Sequence, residues 1–170
     1  MKEKFGIELS ESEVNSFLSN VLNLKRQSIS IDFVNSIIVR VAEIIPFQNV
    51  EMTSKYFGIP LNGENLKRDV LECKGGICTT VNPFMGAFLN SLGYDVHLIA
   101  CGKKNEDKRH VAICLKLNNL KYFIDFGDAQ PYFEAIELNC LEVEYKRSFR
   151  SYKVYSTGID CYRIELRKDR

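Results

Sequence analysis

Apolar residues recur every three or four positions along the first half of the chain, and every second position along much of the rest. Val14, Phe17, Leu18, Val21 and Leu22 follow a capping box made by Ser10 and Glu13, a pattern that predicts a helix. Val34, Ile37, Ile38, Val41 and Ile45 form a second stripe from about Ile31. Pro46 should end that helix, because the residue before a proline is pushed out of the helical region. Val81, Met85, Phe88, Leu89 and Leu92 form a third stripe, with Gly93 as its C-terminal stop. Pro83 should then fall near the first turn, so the helix is expected to begin between Cys78 and Asn82. Between the second and third stripes, "IPFQNVEM" reads as an extended or turn-like connector, and Leu61 to Asn65 as a loop.

From Tyr94 the period is that of strands. "YDVHLIACG", "HVAICLKL" and "KYFIDF" are predicted strands, with the charged "KKNEDKR" as a loop and Asn118-Asn119 as a two-residue turn. "SYKVYS" and "CYRIELR" suggest a further hairpin around Gly158. Helices precede strands, so the expected class is α+β, with a helical part at 1–93 and a β-rich part at 94–170.

Composition narrows the partners. The 170 residues suit one domain or two small subdomains sharing a core, and 45% apolar with 26% charged residues is globular. The 23 basic residues nearly balance the 22 acidic ones, for a net charge of +1, so nucleic acid and anionic membrane are not expected partners. No apolar run follows the lysines of "MKEKFGIELSESEV", and no 18 apolar residues run together, so a cytoplasmic chain without a membrane span is expected. Cys73, Cys78, Cys101, Cys114, Cys140 and Cys161 would then be reduced. None forms a zinc-type pair, so no metal is expected.

The candidate chemistry comes from the hairpin and from "KGGICTTVN". If Leu117 pairs with Leu120, then Val111, Ile113 and Leu115 share a core face with Tyr122, Ile124 and Phe126. His110, Ala112 and Cys114 lie on the other, non-core face with Phe123, Asp125 and Gly127, and His110 falls diagonal to Asp125. A carboxylate inside "YFIDFG" needs a donor, and the imidazole is the one this geometry offers. That bond would fix the ring's tautomer and leave its second nitrogen for a thiol. Gly75-Gly76 permits a tight turn into a helix that opens near Cys78, and the N–H groups of such a helix end favour a thiolate and an oxyanion. Each residue alone also has a structural reading: Cys78 as a buried thiol, His110 at a strand edge, Asp125 in a turn. His97, mid-strand with no acidic neighbour in its pattern, is read as structural.

These stretches resemble the arylamine N-acetyltransferases. "KGGICTTVN" is similar to that family's Arg-Gly-Gly-aromatic-Cys-x-x-x-Asn motif, "IPFQNVEM" to its Pro-Phe-Glu-Asn-Leu segment, and "YFIDFG" to its Asp-Val-Gly strand. The resemblance covers about Phe5 to Leu138. It implies a cysteine-protease-like core with an antiparallel β-barrel-like sheet and a reduced third domain. It also implies a Cys78-His110-Asp125 triad that passes an acetyl group from acetyl-CoA, or another acyl-CoA, through a thioester to an arylamine, hydrazine or arylhydroxylamine. Gly127 is then expected near the cofactor, and Phe47 and Ile77 near the substrate. Lys74, Ile77, Thr80 and Asp128 depart from the family's Arg, aromatic, Glu/Gln and Phe. The tail is short for the third part, which leaves three readings: a truncated chain, a short form completed by a second copy or a partner chain, or a divergent member. A cysteine hydrolase or transglutaminase-like enzyme, and a non-catalytic binding module, stand as alternatives. "GKKNEDKRH" is expected to be a solvated loop, with contact to donor phosphates as its other reading.

Overall fold

A computed structural model describes residues 2–50, 62–102, 110–129, 132–139, 142–147 and 150–168. The described helices all lie before Leu92 and the named strands follow. The helices are α1 (Lys2–Phe5), α2 (Glu11–Ser16), α3 (Ile31–Ile44), α4 (Gly63–Leu71) and α5 (Cys78–Ser91), with a π-helical turn at Phe17–Val21. The strands are β1 (Asp95–Cys101), β2 (His110–Leu117), β3 (Leu120–Ile124), β4 (Ile136–Glu137), β5 (Glu142–Arg147), β6 (Arg150–Gly158) and β7 (Cys161–Lys168).

Local signals account for the helices. Ser10 accepts from the backbone of Glu13 while the Glu13 carboxylate takes the Ser10 N–H, so the expected capping box is complete. Ser30 caps α3 by accepting from Phe33, and Ile45 closes it in extended conformation just before Pro46. Of the loop expected at Leu61 to Asn65, Leu61 lies outside the described residues and the rest is a helix start: Asn62 accepts from the Asn65 N–H, and Leu66 and Val70 bury the inner face of α4. Pro83 lies in the second turn of α5 rather than the first, where it cannot donate to the Thr79 carbonyl. The helix persists because it is walled in on all sides from Val81 to Leu89. Phe17 meets Phe84 and Phe88 edge-on, with 5.0 Å between ring centroids in each pair. A buried ring of this size contributes about 2–3 kcal/mol by leaving water.

The strands form a four-stranded sheet, β1-β2-β3-β4, and a separate three-stranded sheet, β5-β6-β7, every pairing antiparallel. They do not close into the barrel-like sheet that was expected. The hairpin register is the expected one, Leu117 opposite Leu120 and Ile113 opposite Ile124, with Asn118 and Asn119 both at positive φ. Its second face, however, is a core face as well. Ala112, Cys114 and Phe123 are buried there, and Ala112 and Phe123 join Ile136, Leu138, Tyr152 and Val154 in a small second core under β6. Sequence alternation could not show this, because the cover comes from a hairpin some 40 residues away.

Candidate active site

Two segments distant in sequence are zipped together to present Cys78. Phe47 pairs with Gly76 in a parallel bridge, Gly76 donates to the Pro46 carbonyl at 3.2 Å, and the Gln48 N–H donates to the Gly76 carbonyl at 3.2 Å. Gly75 sits at φ +75°, and a side chain there would strike the Pro46 carbonyl. The chain then enters α5 through Ile77, whose extended backbone leaves Cys78 as the first helical residue. Cys78 is 8% exposed.

His110 opens β2, and Asp125 lies just past the end of β3. The His110 Nε2 and an Asp125 carboxylate oxygen are 2.5 Å apart, as the register predicts, and the Asp125 side chain is almost wholly buried. The Cys78 side chain is also close enough to His110 to favour the charged ring. His110 is raised from 6.5 to about 9, first by its hydrogen bond to Asp125 and further by the charges of Asp125 and Cys78. Burial opposes the shift without cancelling it. At neutral pH the ring is therefore an imidazolium set between a carboxylate and a sulfur, an arrangement suited to nucleophilic acyl chemistry.

Sequence reasoning missed Asn82. This residue is fully buried one helical turn beyond Cys78. Its amide nitrogen donates to the second Asp125 oxygen at 2.9 Å and to the Val111 carbonyl at 2.7 Å, while its oxygen accepts from the Phe126 N–H at 2.9 Å. It thereby ties α5 to both strands that carry the other two residues. The signal was the i, i+4 spacing from Cys78, which puts both side chains on one helix face.

The other expected residues separate. Phe47 lines a cavity of about 220 Å³ next to Asp125, with an aliphatic wall of Ile38, Ala42 and Ile45 and aromatic faces from Phe126 and Tyr132. Ile77 does not line it; it caps α5. Gly127 is pressed against the backbone of Cys78, where a Cβ would come within 2.5 Å of the Cys78 Cα, and its N–H donates to Asp125 at 2.9 Å. His97 stays in mid-strand opposite Cys114, its pKa lowered by burial. Lys74 pairs with Glu72. The "KKNEDKR" loop lies outside the described residues. One atom each of His110, Asp125 and Asp128 lies within 4.8 Å of the others, a spacing that a metal ion could bridge, although His110, Asn82 and Gly127 already use the Asp125 oxygens. Among the described residues, no helix is long and apolar enough to cross a membrane, and Cys73, Cys78, Cys101, Cys114 and Cys161 are free thiols.

Comparison with known proteins now places the chain. The family described as N-acetyltransferase matches residues 30–169. The chain belongs to the arylamine N-acetyltransferase family. It is 25% identical over 136 residues to a probable arylamine N-acetyltransferase of Dictyostelium discoideum, covering 69% of this chain and 45% of that protein. Among solved structures, an arylamine N-acetyltransferase of Bacillus cereus, described as having a unique Cys-His-Glu catalytic triad, is 25% identical with a TM-score of 0.78. The match covers 95% of this chain and 67% of that one. The Mycobacterium marinum arylamine N-acetyltransferase in complex with CoA shares the fold at 17% identity and a TM-score of 0.72, over 87% of this chain and 58% of that one. The chain spans only 35% to 45% of the length of the curated relatives it matches.

Proposed function

We propose that the chain carries the acetyl-transfer centre of an arylamine N-acetyltransferase, with Cys78 as nucleophile, His110 as its acid–base partner and Asp125 as the group that orients and charges His110. The observation that carries this reading is one continuous line of contacts: sulfur, imidazolium and buried carboxylate at the N-terminus of a buried helix. The sulfur attacks the acetyl carbon of acetyl-CoA. A C–S bond to Cys78 forms, the bond to the CoA sulfur breaks, and His110 supplies the proton that the leaving thiol takes. An amine, hydrazine or hydroxylamine then attacks the thioester, the C–N or C–O bond forms, and Cys78 is released with the proton returning through His110. The N–H groups at the start of α5 suit the developing oxyanion. Membership of a family with a CoA-bound relative favours acetyl-CoA as donor. The cavity beside Asp125 is the place for the acceptor, and Phe47 is its lip.

Intact mass after incubation with acetyl-CoA tests the scheme. One acetyl group on Cys78 that an arylamine clears is the expected result. An adduct that water clears equally fast would point to a hydrolase. No adduct, with Cys78 alkylating no faster than Cys73, would leave a binding module. Asp125→Asn should slow acetylation by about 10⁴-fold, as loss of the orienting carboxylate does in other triads.

A further inference from the structure

The cavity beside the candidate triad lies between two walls from distant parts of the chain. One is aliphatic, with Ile38 and Ala42 on α3 and Ile45 just beyond it; the other is the segment after β3, with Phe126 and Tyr132. Asn35 continues the first wall, since positions 35, 38 and 42 fall on one helical stripe. Asparagine is a weak helix former, and here it interrupts an otherwise apolar row. Its side-chain oxygen reaches across to accept the Ala135 N–H at 2.8 Å, a contact between residues 100 apart in sequence. Ala135 is buried three residues beyond Tyr132, just ahead of Ile136, which pairs with Phe123. The near end of the segment is fixed by Asn82, which holds Asp125 and the Phe126 N–H. Asn35 ties its far end to the aliphatic wall.

We propose that Asn35 is a positioning residue for the acyl acceptor: by holding Ala135 it sets the separation of the two walls, and with it the affinity of the cavity for an amine. The inference rests on the reading of this cavity as the acceptor's place. Asn35 does not line the cavity, and acts through the segment it holds. Without its oxygen the buried Ala135 N–H loses its acceptor, and a buried donor left unpaired costs more than an ordinary hydrogen bond gains. The segment relieves that cost by moving toward water, which carries Tyr132 away from Ile38 and Ala42. A displaced wall cannot grip a flat ring on both faces. Affinity then falls by the fraction of molecules in which the wall is in place. Asp125 is held by His110, Asn82 and the Gly127 N–H, bonds in which Asn35 has no part, so the nucleophile should not feel the change.

Calorimetric titration with para-toluidine, without any acetyl donor, reads the cavity alone. Asn35→Ala should weaken binding roughly tenfold, the size expected for one lost buried bond. Asn35→Asp keeps an acceptor for the Ala135 N–H and should recover most of that loss. Ser30→Ala removes the N-cap of the same helix, so it loosens α3 without touching the Ala135 bond, and its amine affinity should match the wild type. Iodoacetamide should alkylate Cys78 at one rate in all four proteins. Should Asn35→Ala not fold, amide exchange in the wild type carries the test. The amine at a hundred times its Kd should slow exchange of the Ala135 N–H by roughly a hundredfold. Wild-type affinity in Asn35→Ala, no recovery in Asn35→Asp, an equal loss in Ser30→Ala, alkylation that slows with affinity, or Ala135 exchange indifferent to the amine overturns the proposal. A wild-type chain that binds no para-toluidine overturns the acceptor reading of the cavity along with it. Failure of Cys78 to accept an acetyl group would overturn the transfer chemistry instead, and leaves this binding comparison intact.

Discussion

Asn82 holds three backbone or side-chain partners, one on β2 and two in the segment just past β3. Asn82→Ala removes all three bonds from a fully buried position and leaves that Asp125 oxygen only the Gly127 N–H, so chemical denaturation should show a loss of about 3 kcal/mol. A near-neutral result would mean that water replaces the amide. Asn82→Asp should be worse for acetylation, since it sets a second carboxylate beside Asp125. His110 gives a prediction with a definite sign. Its folded-state pKa, about 9, lies above the ordinary 6.5, so the added stability is complete below pH 6.5 and fades as pH rises through about 9. The stability gap between wild type and His110→Gln should therefore narrow across that window; a flat gap contradicts the assignment. In a protein with two histidines, side-chain NMR can follow the ring directly, and Asp125→Asn should lower its titration point. That His110 and Asp125 meet was legible from the two-residue register alone. Asn82 was visible as a letter in a motif, but its partners lie 29 to 44 residues away, beyond any local pattern.

At the scale of elements, α5 and the segment after β3 must touch for the site to exist, and Gly127 sets how closely they do. A Cβ there would approach the Cys78 nitrogen to 2.9 Å as well as its Cα to 2.5 Å, and both are backbone atoms that cannot swing aside. Gly127→Ala should cost about 1–3 kcal/mol through overpacking. Its larger effect should be on acetylation of Cys78, about 10²-fold, because a shift of the helix end by an ångström displaces the sulfur from the ring. Stopped-flow acetylation compared with thermal unfolding separates the two. A rate loss no greater than the unfolded fraction explains would reduce Gly127 to a packing residue. The helices with strong stripes and caps were readable from sequence. α4 was not, since its start signal is Asn62, a residue that serves loops and caps equally well, and its nine residues show only two buried apolar positions.

Across the whole molecule, the two sheets divide the labour: β2 and β3 hold His110 and lead to Asp125, and β6 covers the back of that hairpin. The sequence suggested only one buried face for the hairpin, because period-2 alternation fits a single covered side and the second cover arrives late in the chain. Tyr152 joins this cover to the cavity. Its ring lies 5.0 Å from that of Tyr132, which in turn meets Phe123 edge-on at 5.3 Å, and Tyr132 is part of the cavity wall. Tyr152→Ala should therefore cost about 3–4 kcal/mol, as for other large aromatic truncations in a core. It should also loosen the Tyr132 wall while leaving Cys78, which belongs to neither apolar cluster, as reactive as before. The expected pattern is a several-fold weaker affinity for acceptor amines with an unchanged rate of Cys78 alkylation by iodoacetamide. If alkylation falls in step with affinity, the second sheet supports the nucleophile as well as the pocket. If neither changes, the second core is structurally separate from the site, and the link through Tyr132 carries no force.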